Sequence, residues 1–197
     1  MKVPKEKGVI KRTMQSSLVG LALLLAVFVL TCPRIGTAAT AGEIDRDVNI
    51  ALSKLYKTTP AAKKLSRIAK GILVFPGIIK GGFIVGGQYG EGALRVDGET
   101  TGYYNTVSAS YGLQIGAQSF GYALFFIDEA GLKYLDKSEG WEIGVDPNVV
   151  MVDKGAARAL STTSAKSGIY VFFFNQKGLM ADLSVAGSKI TKIKPGK

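Results

Sequence analysis

The chain has 197 residues, 25 Lys and Arg against 15 Asp and Glu, a formal charge of +10, no histidine and one cysteine. Without histidine it lacks the side chain best suited to proton transfer near neutral pH and the commonest metal ligand. A lone cysteine can build neither an internal disulfide nor a thiolate zinc site, so composition points away from catalysis, metals and cofactors and toward a binding module.

Residues 1–41 read as a targeting segment. A basic start (Lys2, Lys5, Lys7, Lys11, Arg12) leads into the apolar run Leu18 to Leu30, which is short for a membrane-spanning helix. Ala39-Thr40-Ala41 fits the small-x-small rule for signal peptidase, so the expected cut precedes Gly42 and the mature domain is 42–197, exported to the periplasm or envelope. Cys32 follows the apolar run, but Thr31 makes a poor lipobox, and lipoprotein acylation is the minor alternative. Six of the basic residues and one acidic residue lie in 1–41, which leaves +5 for the single remaining domain.

Next, 42–70 reads as two amphipathic helices. Val48, Ala51, Leu52 and Leu55 form one stripe and Ala62, Leu65, Ala69 and Ile72 another, with Thr59-Pro60 breaking the helix between them. From Gly71 the pattern changes to glycine punctuation and runs of Val, Ile, Phe and Tyr. Strands are expected near 71–75, 82–88, 92–97, 101–111, 113–127, 141–145, 148–153, 168–175, 179–185 and 189–193. Asp97-Gly98 is a hairpin signal, and short connections of this kind favour antiparallel pairing. One short internal helix is expected over 129–137. Glycines inside strands mark bends or bulges. The expected fold is therefore α+β: a curved, glycine-rich, mainly antiparallel sheet or partial barrel with N-terminal amphipathic helices.

Catalytic signatures are missing. The sequence contains no Gly-x-Ser-x-Gly elbow, no Ser-x-x-Lys and no phosphate-binding loop. Two carboxylate pairs, Asp128 with Glu129 and Glu139 with Glu142, keep acid–base chemistry open as a lesser reading beside that of solvated charges.

The positive charge is concentrated. Lys54, Lys57, Lys63, Lys64, Arg67, Lys70 and Lys80 fall in one stretch, with no acidic residue between Asp47 and Glu91. In the second helix this gives a basic amphipathic face, which either lies on an anionic membrane or is a solvated helix face. The segment Phe75 to Gly82 joins helix to sheet; its Ile78-Ile79 pair is either an exposed loop that dips into lipid or a buried turn. Trp141 is a core or interfacial anchor, and the Tyr170, Phe172, Phe173, Phe174 run is sheet core. No nucleic-acid-binding motif accompanies the basic residues.

Several ordered blocks resemble the SYLF-domain family, a lipid-binding module of bacteria and eukaryotes. They are Ala69-Lys70-Gly71-Ile72-Leu73-Val74-Phe75-Pro76, Lys80-Gly81-Gly82-Phe83, Gly86-Gly87-Gln88-Tyr89-Gly90-Glu91-Gly92, Ser110-Tyr111-Gly112-Leu113-Gln114-Ile115-Gly116 and Phe174-Asn175-Gln176-Lys177-Gly178-Leu179-Met180-Ala181. The resemblance implies binding of acidic phospholipids through the basic N-terminal segment. By likeness this falls on Lys63, Lys64, Arg67 and Lys70, with Lys54, Lys57 and Lys80 nearby. Eukaryotic members also engage actin, a role that the resemblance does not extend to an exported single-domain chain. The expectation is thus an envelope protein that binds anionic phospholipid without enzymatic activity, metal or cofactor. The alternative is an envelope assembly protein that meets another protein or an acidic polysaccharide.

Overall fold

The 3.6-residue stripe of Ile44, Val48, Ala51 and Leu55 folds as helix α1, Ala41–Thr58, with all four side chains buried. Its start is fixed by a capping box: Thr40 Oγ1 accepts from the Glu43 N–H at 3.3 Å, while Glu43 Oε2 accepts from the Thr40 N–H at 2.9 Å. The boundary expected between Ala41 and Gly42 falls inside the first turn of this helix. Pro60 opens helix α2, Pro60–Leu65, at a position where its missing N–H is no loss. Helix α2 stops short of the expected Lys70 boundary because the Lys70 N–H already donates to the Phe126 carbonyl, at 2.7 Å, and draws the chain into the sheet. Arg67 therefore sits in the turn after α2, and Lys70 at the sheet's edge of that turn, instead of extending a basic helix.

The computed structural model describes residues 38–82, 85–111, 116–137, 141–143, 149–152, 160, 165, 167–178 and 187–196, and for 110, 111, 136, 137, 141 and 143 the backbone alone. The segment 1–37 with Cys32, the expected strand 179–185, Glu139 and the Trp141 side chain lie outside the described residues. Eight strands form one sheet: β1 (Gly71–Gly82), β2 (Val85–Val96), β3 (Glu99–Tyr111), β4 (Gly116–Phe126), β5 (Trp141–Ile143), β6 (Val149–Val152), β7 (Ile169–Gly178) and β8 (Ser188–Ile193). Their order is β5-β8-β3-β2-β1-β4-β7-β6. Every neighbouring pair is antiparallel except β6 with β7. Helix α3, Glu129–Lys137, is the expected internal helix. The Asp97-Gly98 turn adopts positive φ at both residues, 51° and 86°, as a tight two-residue hairpin demands.

Sequence punctuation divided the front of the sheet too finely. Strand β1 runs without interruption through Pro76, because the register slips between Val74 and Gly77 and places the proline in a bulge, where its missing N–H breaks no ladder. The stretch expected as a loop or turn, Phe75 to Gly82, is thus strand. Likewise the two strands expected at 82–88 and 92–97 are one, β2.

The sheet is curled, and one side-chain bond demonstrates it. Tyr122 on β4 donates its hydroxyl to Thr106 Oγ1 on β3 at 2.8 Å, although three strand spacings separate the two strands. In a flat sheet that gap is about 14 Å, beyond the reach of these side chains. The concave face collects Leu73, Phe75, Tyr104, Phe120, Tyr122 and Leu124 into one core, joined by Leu132 and Leu135 of α3. The convex face packs Ile72, Val74, Ala93, Ala123, Phe125 and Phe172 under α1 and α2. The polar network of Asp45, which takes the Thr100 and Tyr103 hydroxyls at 2.7 and 2.9 Å and lies 3.4 Å from Arg95, ties α1 to β2 and β3. Both cores lie within Ala38–Lys197, one compact unit.

Candidate binding surface

The acid-free stretch of sequence becomes a set of exposed cations. Lys54 and Lys57 project from the second half of α1, Lys63 and Lys64 from α2, and Arg67 and Lys70 from the turn that follows; all six are exposed. Among the described residues, none of Lys54, Lys57, Lys63, Lys64 and Arg67 has a carboxylate within ion-pair distance. The acidic residues of α1 gather at its other end. There Glu43 closes the capping box, Asp45 engages Arg95, and Asp47 pairs with Arg46 at 3.1 Å. Acids first and bases last also complements the helix dipole, which gives Lys57 a structural role beside any binding role. Lys70 differs from the rest, because its charge helps Lys133 hold the Glu129 carboxyl below its usual range.

The remaining expected positions separate. Ile79 is 71% exposed, whereas its neighbour Ile78 is fully buried in the concave core. Lys80 is also turned to the concave face and is only 8% exposed, so neither Ile78 nor Lys80 belongs to the outer surface. The bulge at Phe75–Gly77 sets this parity, since one extra residue decides which face each later side chain takes. Lys80 lies opposite Gln88 and Gln118 in the ladders, and Gln88 donates to Ser188 Oγ at 2.7 Å, so a buried polar row crosses the concave face above the aromatic core.

Sequence reading missed a second surface. The register aligns Lys177, Ser119, Ile79, Tyr89, Val107 and Lys189 directly across β7, β4, β1, β2, β3 and β8. Ile79, Tyr89 and Val107 are 71%, 50% and 43% exposed. Helix α1 does not cover them. Ala39 donates to Glu91 on β2, and Asp45 and Asn49 meet Arg95, so the helix advances along β2 away from Tyr89. Burial, and then the Glu91 carboxylate that accepts its hydroxyl proton, push the Tyr89 phenol up to about 12. Its residues lie on six different strands and are brought together by register alone, so no single stretch of sequence announces them.

The candidate carboxylate pair at Asp128 and Glu129 is divided between structural tasks. Asp128 accepts from the Gly168 and Gly131 N–H groups at 2.9 and 3.0 Å, bonds that hold its carboxyl below the usual range. Glu129 pairs with Lys133 at 3.1 Å. Glu142 is exposed on β5, and its suggested partner Glu139 lies outside the described residues. Among the described residues, no helix is long and apolar enough to cross a membrane.

No curated protein matches the chain. The matched family region begins at Val107 within β3 and continues to the end of β8, which leaves the basic helices outside it and takes in four of the six positions of the transverse row. Residues 107–194 match the model of the Ysc84 family, described as Las17-binding protein actin regulator, the same SYLF domain that the ordered sequence blocks resemble.

Proposed function

We propose that this protein binds anionic phospholipid at the cell envelope through the exposed cations of α1, α2 and the turn after α2. One observation carries the reading: Lys54, Lys57, Lys63, Lys64 and Arg67 are exposed, and none has a carboxylate partner among the described residues. Such a group meets negative charge from outside the fold. Each basic residue held near an anionic surface contributes about 1 kcal/mol, an attraction that salt weakens. The basic and apolar run at the N-terminus supports export, and the lack of histidine supports a module that binds without catalysing. The family relationship supports a binding role in general.

The test is co-sedimentation of the 38–197 unit with vesicles of phosphatidylcholine, alone or mixed with phosphatidylglycerol, at low and high salt. Binding is expected to the mixed vesicles only, to weaken with salt, and to fall at least tenfold in K63E/K64E/R67E, which reverses three charges. Equal binding to both vesicle types, or none to either, refutes the reading. A protein partner is the second reading, favoured by the family's description as a Las17-binding protein. Lipid-independent capture by a polypeptide, abolished by the same charge reversals, would support it instead.

A further inference from the structure

We propose that the transverse row on the convex face, Ile79, Tyr89 and Val107 closed at its ends by Lys177 and Lys189, is a second contact with the same anionic bilayer. The inference rests on the lipid-binding reading above and gives it an apolar footing on the sheet itself. Five inter-strand spacings separate the end strands, so the two lysines stand about 24 Å apart along the sheet with the apolar side chains between them.

The shape suits a membrane surface. The row lies on the outside of a curled sheet, so its side chains diverge into solvent and do not form a groove. On its side away from α1 the next ladder row is Ala117, Gly81, Gly87 and Ala109. Above Gly81 and Gly87 the space is open: a Cβ added at either would approach nothing closer than a backbone oxygen, at 3.8 and 3.7 Å. Ile79, Tyr89 and Val107 therefore stand proud of a flat shelf, and Val85, 66% exposed, lies on the same face beyond it. Exposed aliphatic groups beside a tyrosine, with cations at both ends, match the layering of a bilayer interface, where apolar groups sink and lysines stay with the headgroups.

Charge selects among occupants. Among the described residues, the carboxylate beside the row on this face is Glu91, which is engaged by the Tyr89 hydroxyl and the Ala39 N–H, the latter at 3.1 Å. What remains outward at the ends is positive, which complements an anionic surface. A second copy laid face to face would bring like-charged ends together and is disfavoured.

Two measurements test the proposal on the 38–197 unit with the vesicles named above. I79S/V107S is expected to reduce partition into phosphatidylglycerol-containing vesicles about tenfold or more, with the melting curve unchanged. Y134S, which removes an exposed aromatic side chain from α3 on the concave side of the sheet, is expected to have no such effect. Because the sequence has no cysteine beyond Cys32, V107C carries a single thiol for a polarity-sensitive dye, and its emission should shift to the blue on anionic vesicles alone. If I79S/V107S binds as wild type and the dye does not respond, while K63E/K64E/R67E loses binding, the row is overturned and the helix reading stands. If wild type ignores anionic vesicles, both fail. If the row variants instead abolish a concentration-dependent dimer in the absence of lipid, the face belongs to a second copy and the proposal is wrong.

Discussion

Replacing Tyr122 by phenylalanine tests whether the curl of the sheet is held by a bond between strands that do not touch in the ladder. The substitution removes a hydroxyl that lies 2.8 Å from Thr106 Oγ1, and both residues are fully buried. Burial pushes the Tyr122 phenol far above its usual range, so it remains a neutral donor at any working pH. Tyr122→Phe leaves the Thr106 hydroxyl without that donor, and Thr106→Val, close in volume, leaves the Tyr122 hydroxyl without an acceptor. Each costs about 1–3 kcal/mol, the desolvation of an orphaned buried group. In Y122F/T106V both polar groups are gone, so the loss should fall short of the sum by about 1–2 kcal/mol. For a domain of this size 1 kcal/mol moves the midpoint by about 2–4 °C, which places each single variant about 4–8 °C below wild type for a mid-range loss of about 2 kcal/mol. Thermal and urea unfolding of the 38–197 unit, followed by circular dichroism, gives all four corners of the cycle. Losses that simply add would mean that the two side chains do not share a bond, and the argument for a tightly curled sheet would fall with them.

Two further predictions concern ends and loops. Thr40→Ala removes the side-chain half of the capping box and should lower stability by about 1 kcal/mol in the same unfolding assay, whereas Thr40→Ser should be nearly silent. Asp128→Asn should destabilise the domain at neutral pH. Because the folded-state pKa of Asp128 is depressed, its stabilisation is complete above the ordinary value of 3.8 and is lost as pH falls through the depressed one. The gap between wild type and D128N is therefore expected to be constant from pH 7 to about pH 4 and to close below that range in acid unfolding curves. A gap that widens in acid would refute the assignment of Asp128 as a backbone-bonded carboxylate.

What could be read from the sequence divides by range. The helical stripes, the Pro60 break and the Asp97-Gly98 turn depend on residues a few positions apart, and each has a local physical cause. The continuity of β1 and β2 cannot be read this way, because glycine and proline ordinarily mark strand boundaries. In a curled sheet some of the glycines instead occupy crowded positions within a strand: a Cβ at Gly92 would come within 2.0 Å of the Val74 carbonyl oxygen. The parallel pairing of β6 with β7 had no signature, since it depends on where the chain returns after a long connection. For the binding surface, the absence of acidic residues predicted the exposed cations of α1 and α2. It could not foresee that a one-residue bulge turns Lys80 and Ile78 inward, because parity along a strand is lost at every bulge. The transverse row had no linear signature at all, being assembled from six strands by register alone.

The stitch between the two ends of the folded unit has a topological consequence. The Gly196 N–H donates to the Ala39 carbonyl at 3.1 Å, and Thr40 bridges Gly196 in parallel. Start and finish of the domain therefore coincide in space, so a short peptide joining them would close the backbone into a ring without straining either core, and new termini could be opened at the Asp97-Gly98 hairpin. Anything fused to either end would also pull on the body from a single pole, and under load would peel β8 and α1 together before the central strands felt the force.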